Sequence, residues 1–282
     1  MAWDRPRICN SIQRRRTSPD QVQACRSRRL RLERTSELGL LGDDVGVFRC
    51  AAILQGKSMS SLATRAAAQT AGFLILFALI FVAAGTIHFW QGWLFCLSFW
   101  FSTIAIGVYL IKRDPALLER RMRFGPRAES RPIQKIIVTI AFVMFVALAI
   151  LPALDHRFGW SRVPAVIVVI ANIFIVATFG LFVRVLRENT FAASTITVEA
   201  GQRVISTGPY RHVRHPMYAG ALLLIFAMPI ALGSLWGLPV SAIAIPVLIA
   251  RIVDEERALS AKLPGYDNYR RAVPYRLIPH VW

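Results

Sequence analysis

Ala219–Ala250 reads AGALLLIFAMPIALGSLWGLPVSAIAIPVLIA, a run of 32 residues without one charged side chain. A bilayer core takes about 20 apolar residues in helical form, so this run is about half again too long for a single span. Its middle holds Gly233-Ser234, with Gly237 and Pro239 close behind. These are the helix-breaking residues of a tight turn. The stretch therefore predicts a helical hairpin, and a hairpin returns its two ends to one face. Tyr218 and Arg251 are those ends, so whatever precedes Tyr218 is brought near Asp254-Glu255-Glu256.

What precedes it is Gly208-Pro209-Tyr210-Arg211-His212-Val213-Arg214-His215-Pro216-Met217-Tyr218. Arg211, His212, Arg214 and His215 are cationic or potentially so. Pro209 and Pro216 stiffen the backbone and bias the residues before them away from helix. Such a segment can hold an anionic group in place. It also suits a plain interfacial anchor, with tyrosines at headgroup level and arginines on anionic lipid. For Asp254-Glu255-Glu256 the plain reading is a solvated helix end partnered by Arg251 and Arg257; closeness to the basic segment is what weighs against it.

The rest of the chain reads as membrane protein. Of 282 residues, 55% are hydrophobic, and the mean hydropathy is +0.47, too apolar for an ordinary soluble domain. The net charge of +18 then marks loop sidedness before it suggests nucleic acid, which we do not expect as a partner. Four uncharged or nearly uncharged runs precede the hairpin: Gln69 to about His88, a second to Ile111, Ile136 to about Leu154, and Pro164 to Leu186. With the hairpin they make about six hydrophobic helices in an all-α integral membrane protein. Between the second and third, Lys112–Lys135 carries eight Lys and Arg against Asp114, Glu119 and Glu129, the signature of a cytoplasmic loop. Asp114 and Pro115 are placed as N-cap and first residue of a short helix within it. Ser194–Thr207 is expected to be a small extended loop or hairpin.

Residues 1–58 differ in composition and read as a basic disordered tail. They lack the apolar core of a signal peptide, and their acids (Asp4, Asp20, Glu33, Glu37, Asp43, Asp44) argue against a transit peptide. Translation starting at Met59 is a further expectation. The domains expected are thus 1–58, four spans over 59–188, and a C-terminal cofactor-binding region over 189–282. Cys9, Cys25, Cys50 and Cys96 show no paired spacing, so neither a metal site nor a disulfide framework is expected.

A basic, aromatic segment facing an acidic one suits a zwitterionic ligand with a flat ring. Arginine and histidine bind carboxylates, a glutamate takes an ammonium, and tyrosines cover a cation or a base. S-adenosylmethionine has all of these groups, and its methyl transfer depends on alignment more than on acid–base power.

Arg214-His215-Pro216-Met217-Tyr218, preceded by Gly208-Pro209-Tyr210 and followed after the hairpin by Glu255-Glu256, Gly265-Tyr266, Tyr269 and Arg276-Leu277-Ile278-Pro279, resembles the isoprenylcysteine carboxyl methyltransferase family, in its broad bacterial branch. The resemblance runs by motif from about Asn189 onward and by pattern alone before it. It implies methyl transfer from S-adenosylmethionine to a lipid-borne acceptor, first a prenylcysteine-type or other lipid carboxylate. It also implies a bacterial inner membrane with both termini cytoplasmic, and a cytoplasmic C-terminal cofactor cap. Tyr210, His215 and Tyr218 would contact the cofactor, with Pro216, Tyr266 and Tyr269 beside them. Glu255 and Glu256 would close on it, and Arg276 would fix the cap. Arg211 and His212 fall where the family varies. Arg187, Glu188 and Asn189, with Arg184, are the candidates for handling the acceptor; both arginines also fit as positive-inside markers. Two readings stay open beside this one: a reductase of an apolar lipid using NADPH, which shares the architecture, and a non-enzymatic membrane protein.

Overall fold

The computed structural model describes residues 64, 66–192, 194–196 and 201–282; the tail over 1–58, its cysteines and Met59 lie outside the described residues. Ala66–Trp282 is one compact unit. It is helical throughout, with no strand among the described residues. In chain order the helices are α1 (Ala66–Ala84), α2 (Trp90–Arg113), α3 (Pro115–Arg121), α4 (Pro132–Phe158), α5 (Ala165–Glu188), α6 (Pro216–Ala231), α7 (Gly237–Lys262) and α8 (Tyr266–Ala272).

Five of these, α1, α2, α4, α5 and α7, are long and apolar enough to cross a bilayer, and together they fit a multi-pass membrane protein. Their outward faces are apolar: Ile75, Val82, Phe101, Phe142, Val143, Val166 and Ile173 are all exposed. In water that surface would be unsustainable; against acyl chains it costs nothing. The sixth hydrophobic helix, α6, has 16 residues, fewer than the roughly 20 of an ordinary span. It opens on Pro216, carries Pro229 inside, and gives way to a turn at Leu232–Trp236. The hairpin expected from the uncharged run is thus present, with unequal arms.

Aromatic and small residues share the interior. Phe89, Phe95, Phe99, Leu148, Ile175, Met228 and Leu232 form the main core with Ala149, Ala153, Ala171 and Ala231. The alanines let backbones approach, which is how helices pack where lipid removes the usual hydrophobic drive. Gly237 shows the limit of that approach: a Cβ there would overlap the Pro229 ring. Several polar side chains in the bundle donate to carbonyls locally or across helices, although the Asn172 and Gln91 side-chain oxygens are buried without a partner among the described residues. Ser241 Oγ donates to Ile225 O at 2.8 Å, and Asn172 Nδ2 to Val168 O at 2.9 Å and Ala231 O at 3.3 Å.

At one end of the bundle, Asp155, 1% exposed, accepts from Ser161 N (2.7 Å), Ser161 Oγ (2.5 Å) and Ser234 Oγ (2.5 Å). This latch ties the end of α4 to the α6–α7 turn. At the other end the short α3 starts as expected, Asp114 Oδ1 accepting from Leu117 N at 2.8 Å with Pro115 at the first position. Of the extended loop or hairpin expected after α5, the described part, 194–196 and 201–207, forms no strand, and side chains from other elements hold two of its backbone groups. Arg251 Nη2 donates to Ser194 O at 2.9 Å, and Glu129 Oε2 accepts from Ile196 N at 3.4 Å.

Candidate functional site

The segment Arg214-His215, non-helical before Pro216, pairs with the C-terminal stretch: Arg214 N donates to Tyr275 O and His215 N to Arg276 O, both at 2.9 Å. The side chains then converge on Glu256. Arg214 Nε lies 2.7 Å from Glu256 Oε1, Arg276 Nε lies 2.9 Å from Oε2, and His215 Nε2 sits 3.2 Å from Oε1. Arg214 Nη1 also donates to Val273 O and Pro274 O, both at 2.8 Å. Arg214, His215 and Glu256 are buried, while Arg276 closes the knot half-buried.

One helical turn before it on α7, a second polar layer forms. Tyr218 OH donates to Glu255 Oε2 at 2.6 Å and accepts from Arg251 Nε at 3.0 Å. Arg251 Nη1 donates to Gln134 Oε1 at 2.7 Å and to Glu129 Oε1 at 3.1 Å. Gln134 Nε2 in turn donates to Asp254, and Arg131 lies 2.7 Å from the same carboxylate. A hairpin that returns Tyr218 to Glu255 is what the uncharged run implies. A solvated helix end is not what forms: Asp254 and Glu256 are buried and fully partnered.

Between the two layers and the loop after α5 lies a cavity of about 310 Å³, at the lower end of the range for small-ligand sites. Of the residues singled out from sequence, Asn189, Tyr210, His215, Pro216, Tyr218, Glu255, Tyr266 and Tyr269 line it. Arg187, Glu188, Arg211, His212, Glu256 and Arg276 do not. Arg187, Arg211 and His212 are exposed. Glu188 accepts from Thr207 Oγ1 at 2.8 Å, which secures the loop. Glu256 and Arg276 are spent on the knot. Asn189, the C-cap of α5, donates from Nδ2 to Tyr210 OH at 2.9 Å, and Tyr269 OH donates to Tyr210 O at 2.7 Å.

Arg121, Arg203 and Arg251 line the cavity as well, and the sequence reading did not place them in the site. Arg251 had a signal, since it stands four residues before Glu255 on the same helix face. Arg121 had none, because it arrives from α3 through tertiary packing. Its Nη1 donates to Ala192 O at 3.1 Å, and its own carbonyl accepts from Ser194 Oγ at 2.8 Å.

Burial sets the protonation of the phenols. It pushes Tyr210 up to about 12, the Asn189 hydrogen bond and the Arg121 guanidinium pulling the other way. Tyr266 and Tyr269 are raised as well, chiefly by burial. All three therefore stay neutral donors at ordinary pH. Tyr266 OH is buried without a partner among the described residues, a state that costs about 1–3 kcal/mol unless a ligand relieves it.

The arrangement offers one carboxylate held through a single oxygen by Tyr218, several guanidinium groups and three neutral tyrosines in a hollow at the end of apolar helices. That donor set fits S-adenosylmethionine: Glu255 for an ammonium, arginine for a carboxylate, tyrosines for the flat base. Among the described residues no cluster of His, Cys, Asp or Glu is placed to hold a metal ion. No curated protein matches the chain. Residues 160–263, from the start of α5 to the end of α7, match the model of the phospholipid methyltransferase family, which takes in membrane methyltransferases of the isoprenylcysteine carboxyl methyltransferase type, and the match supports a methyltransferase.

Proposed function

We propose that this protein is a membrane methyltransferase that takes its methyl group from S-adenosylmethionine and delivers it to a lipid-borne carboxylate. The observation that carries the reading is the cavity itself. Within the matched segment, Tyr218 and Glu255 meet across the hairpin at 2.6 Å, with the unpartnered Tyr266 hydroxyl on the same wall. When bound, the cofactor supplies a methyl group on a positively charged sulfur, open to displacement by a nucleophile. Glu255 has an oxygen beyond the one Tyr218 occupies, and it is available to an ammonium. Tyr266 donates to a heteroatom of the ligand, and the rings of Tyr210, Tyr266 and Tyr269 cover its flat part.

A carboxylate acceptor is already an anion, so the reaction asks for alignment and needs no base. The wall agrees with that demand: its one imidazole, His215, is engaged by Glu256. Met217, Leu259 and Leu263 give the cavity an apolar flank, suited to an acceptor that enters from the bilayer. The matched family's name favours a second acceptor, a phospholipid amine. Arg214 and Arg251 are paired with Glu256 and Glu129, but Arg121 and Arg203 line the wall with no carboxylate partner among the described residues, which favours an anionic headgroup. The lysine- and arginine-rich loop around α3 supports a cytoplasmic side for the cavity end of the bundle.

Equilibrium binding to the full chain in detergent tests the cofactor. Saturable binding of S-adenosylmethionine, undisturbed by NADPH, is the expected result. Binding of NADPH alone moves the chain to the reductases, and binding of neither removes the enzymatic reading.

A further inference from the structure

The charges around the cavity do not balance, and the imbalance is local. Arg214 and Arg276 share Glu256, Arg251 has Glu129, and Arg131 has Asp254. Arg121 and Arg203 line the same cavity, and among the described residues no carboxylate pairs with either; Arg203 is exposed, whereas Arg121 is half-buried. Its one side-chain hydrogen bond goes to a neutral carbonyl, Ala192 O. Burial weakens the hold of this guanidinium on its proton, opposed mainly by the neighbouring phenols of Tyr210 and Tyr218. A half-buried cation is normally paired; here the fork left over by Ala192 faces a ligand cavity.

Tyr210 stands beside it with a second unused donor. Its hydroxyl accepts from Asn189 Nδ2, and among the described residues nothing accepts its proton. Tyr218 is no alternative, since its hydroxyl is taken on both sides by Glu255 and Arg251. The carboxylate able to meet an ammonium, Glu255, is already tied to Tyr218. The cavity wall thus carries both signs of charge, a carboxylate at Glu255 and a guanidinium at Arg121. Arg121 also comes from α3, outside the segment that matches the methyltransferase family, as suits a feature that differs between members acting on different acceptors.

We propose that Arg121 and Tyr210 form an anion subsite that selects a carboxylate-bearing lipid as the acceptor. This rests on the methyltransferase reading for its meaning, though not for its test. The fork of Arg121 takes one or both carboxylate oxygens, and Tyr210 donates to one of them. Charge-assisted bonds of this kind are worth about tenfold or more in affinity.

The experiment compares dodecanoate with dodecanol, equal in chain and different in headgroup charge, binding to the full chain in detergent without cofactor. The native protein should prefer dodecanoate by at least ~10-fold. Arg121→Gln, which keeps a donor for Ala192 O, should reduce that preference to about twofold or less. Tyr210→Phe, which keeps the ring, should lower it by a smaller factor. S-adenosylmethionine binding is measured on the same samples, and an unfolding midpoint in detergent reports separately whether each variant is folded. No preference in the native protein, or a preference that survives Arg121→Gln, overturns the proposal. So does a loss of S-adenosylmethionine affinity with the dodecanoate preference intact, since the guanidinium then serves the cofactor's own carboxylate. A native protein that shows the preference but binds no S-adenosylmethionine leaves the subsite standing and refutes the methyltransferase reading instead.

Discussion

Arg214 and Glu256, 42 residues apart in the chain, meet at 2.7 Å with both side chains only 5% exposed. The pair anchors the C-terminal stretch to α7, and His215 and Arg276 complete it. A buried ion pair adds little net stability over a well-packed apolar contact, but removing one partner strands the other. Glu256→Gln should therefore destabilise the protein by ~3–5 kcal/mol, read as a lowered unfolding midpoint in mild detergent. A midpoint within the error of the native protein would show that the knot is dispensable. The same variant should also lose ligand binding, because Arg214 and His215 form part of the cavity wall.

Glu255 differs from its neighbour in keeping one oxygen toward the cavity. Glu255→Gln retains shape and the Tyr218 contact while removing the charge. Affinity for S-adenosylmethionine should fall by ~10-fold or more, the worth of one charge-assisted hydrogen bond. The loss should shrink for a cofactor analogue without the amino group, and equal losses for both ligands would argue against an ammonium contact.

Tyr210 gives the fold an alkaline limit. Its phenol titrates near 10 in the unfolded chain and is held up to about 12 in the folded one, mainly by burial. The raised value means that its contribution is complete below pH 10 and is lost as pH rises from 10 through 12, where the unfolded state sheds the proton first. Tyr210→Phe should be about 1 kcal/mol less stable than the native protein at pH 8, through loss of the Asn189 bond. It should then gain on it by ~2–3 kcal/mol by pH 12. Unfolding free energies measured across that range check this; a difference independent of pH contradicts it.

The Asp155 latch provides the opposite control. It lies 21 residues along α4 from Gln134, about 30 Å at helical rise, and touches no cavity residue. Asp155→Ala leaves Ser161 and Ser234 without their acceptor and should cost ~2–4 kcal/mol of stability. Affinity for S-adenosylmethionine in the fraction that remains folded should not change. A drop in affinity that exceeds the loss of folded protein would tie the two ends of the bundle together.

Much of this could be read from the chain because helices and membrane spans are local facts. Asp114-Pro115 is a helix start by its own chemistry, and an uncharged run broken at Gly233-Ser234 folds back whatever surrounds it. The meeting of Tyr218 with Glu255 follows from that geometry alone. What was not legible depended on packing between distant segments. Glu255 and Glu256 look interchangeable in sequence, yet a 100° step around α7 sends one to the cavity and the other into the knot. Arg121 sits among eight Lys and Arg of a loop whose charge is explained by sidedness, so nothing local distinguishes it. The same holds for Glu129 and Gln134, whose partners lie more than 100 residues away. The loop after α5 carries strand-forming residues such as Val204 and Ile205, but its described part forms no strand, and the backbone of Ser194 and Ile196 is held by Arg251 and Glu129 from other elements.

The most direct test of the central claim is transfer of isotopically labelled methyl from S-adenosylmethionine into the lipid fraction of membranes containing the full chain, beside membranes containing Glu255→Gln. The account predicts label in lipid that mild alkali releases as methanol, the mark of a methyl ester, and strongly reduced label with the variant. Label stable to alkali would contradict the carboxylate acceptor, and no label above membranes lacking the protein would contradict the methyltransferase itself.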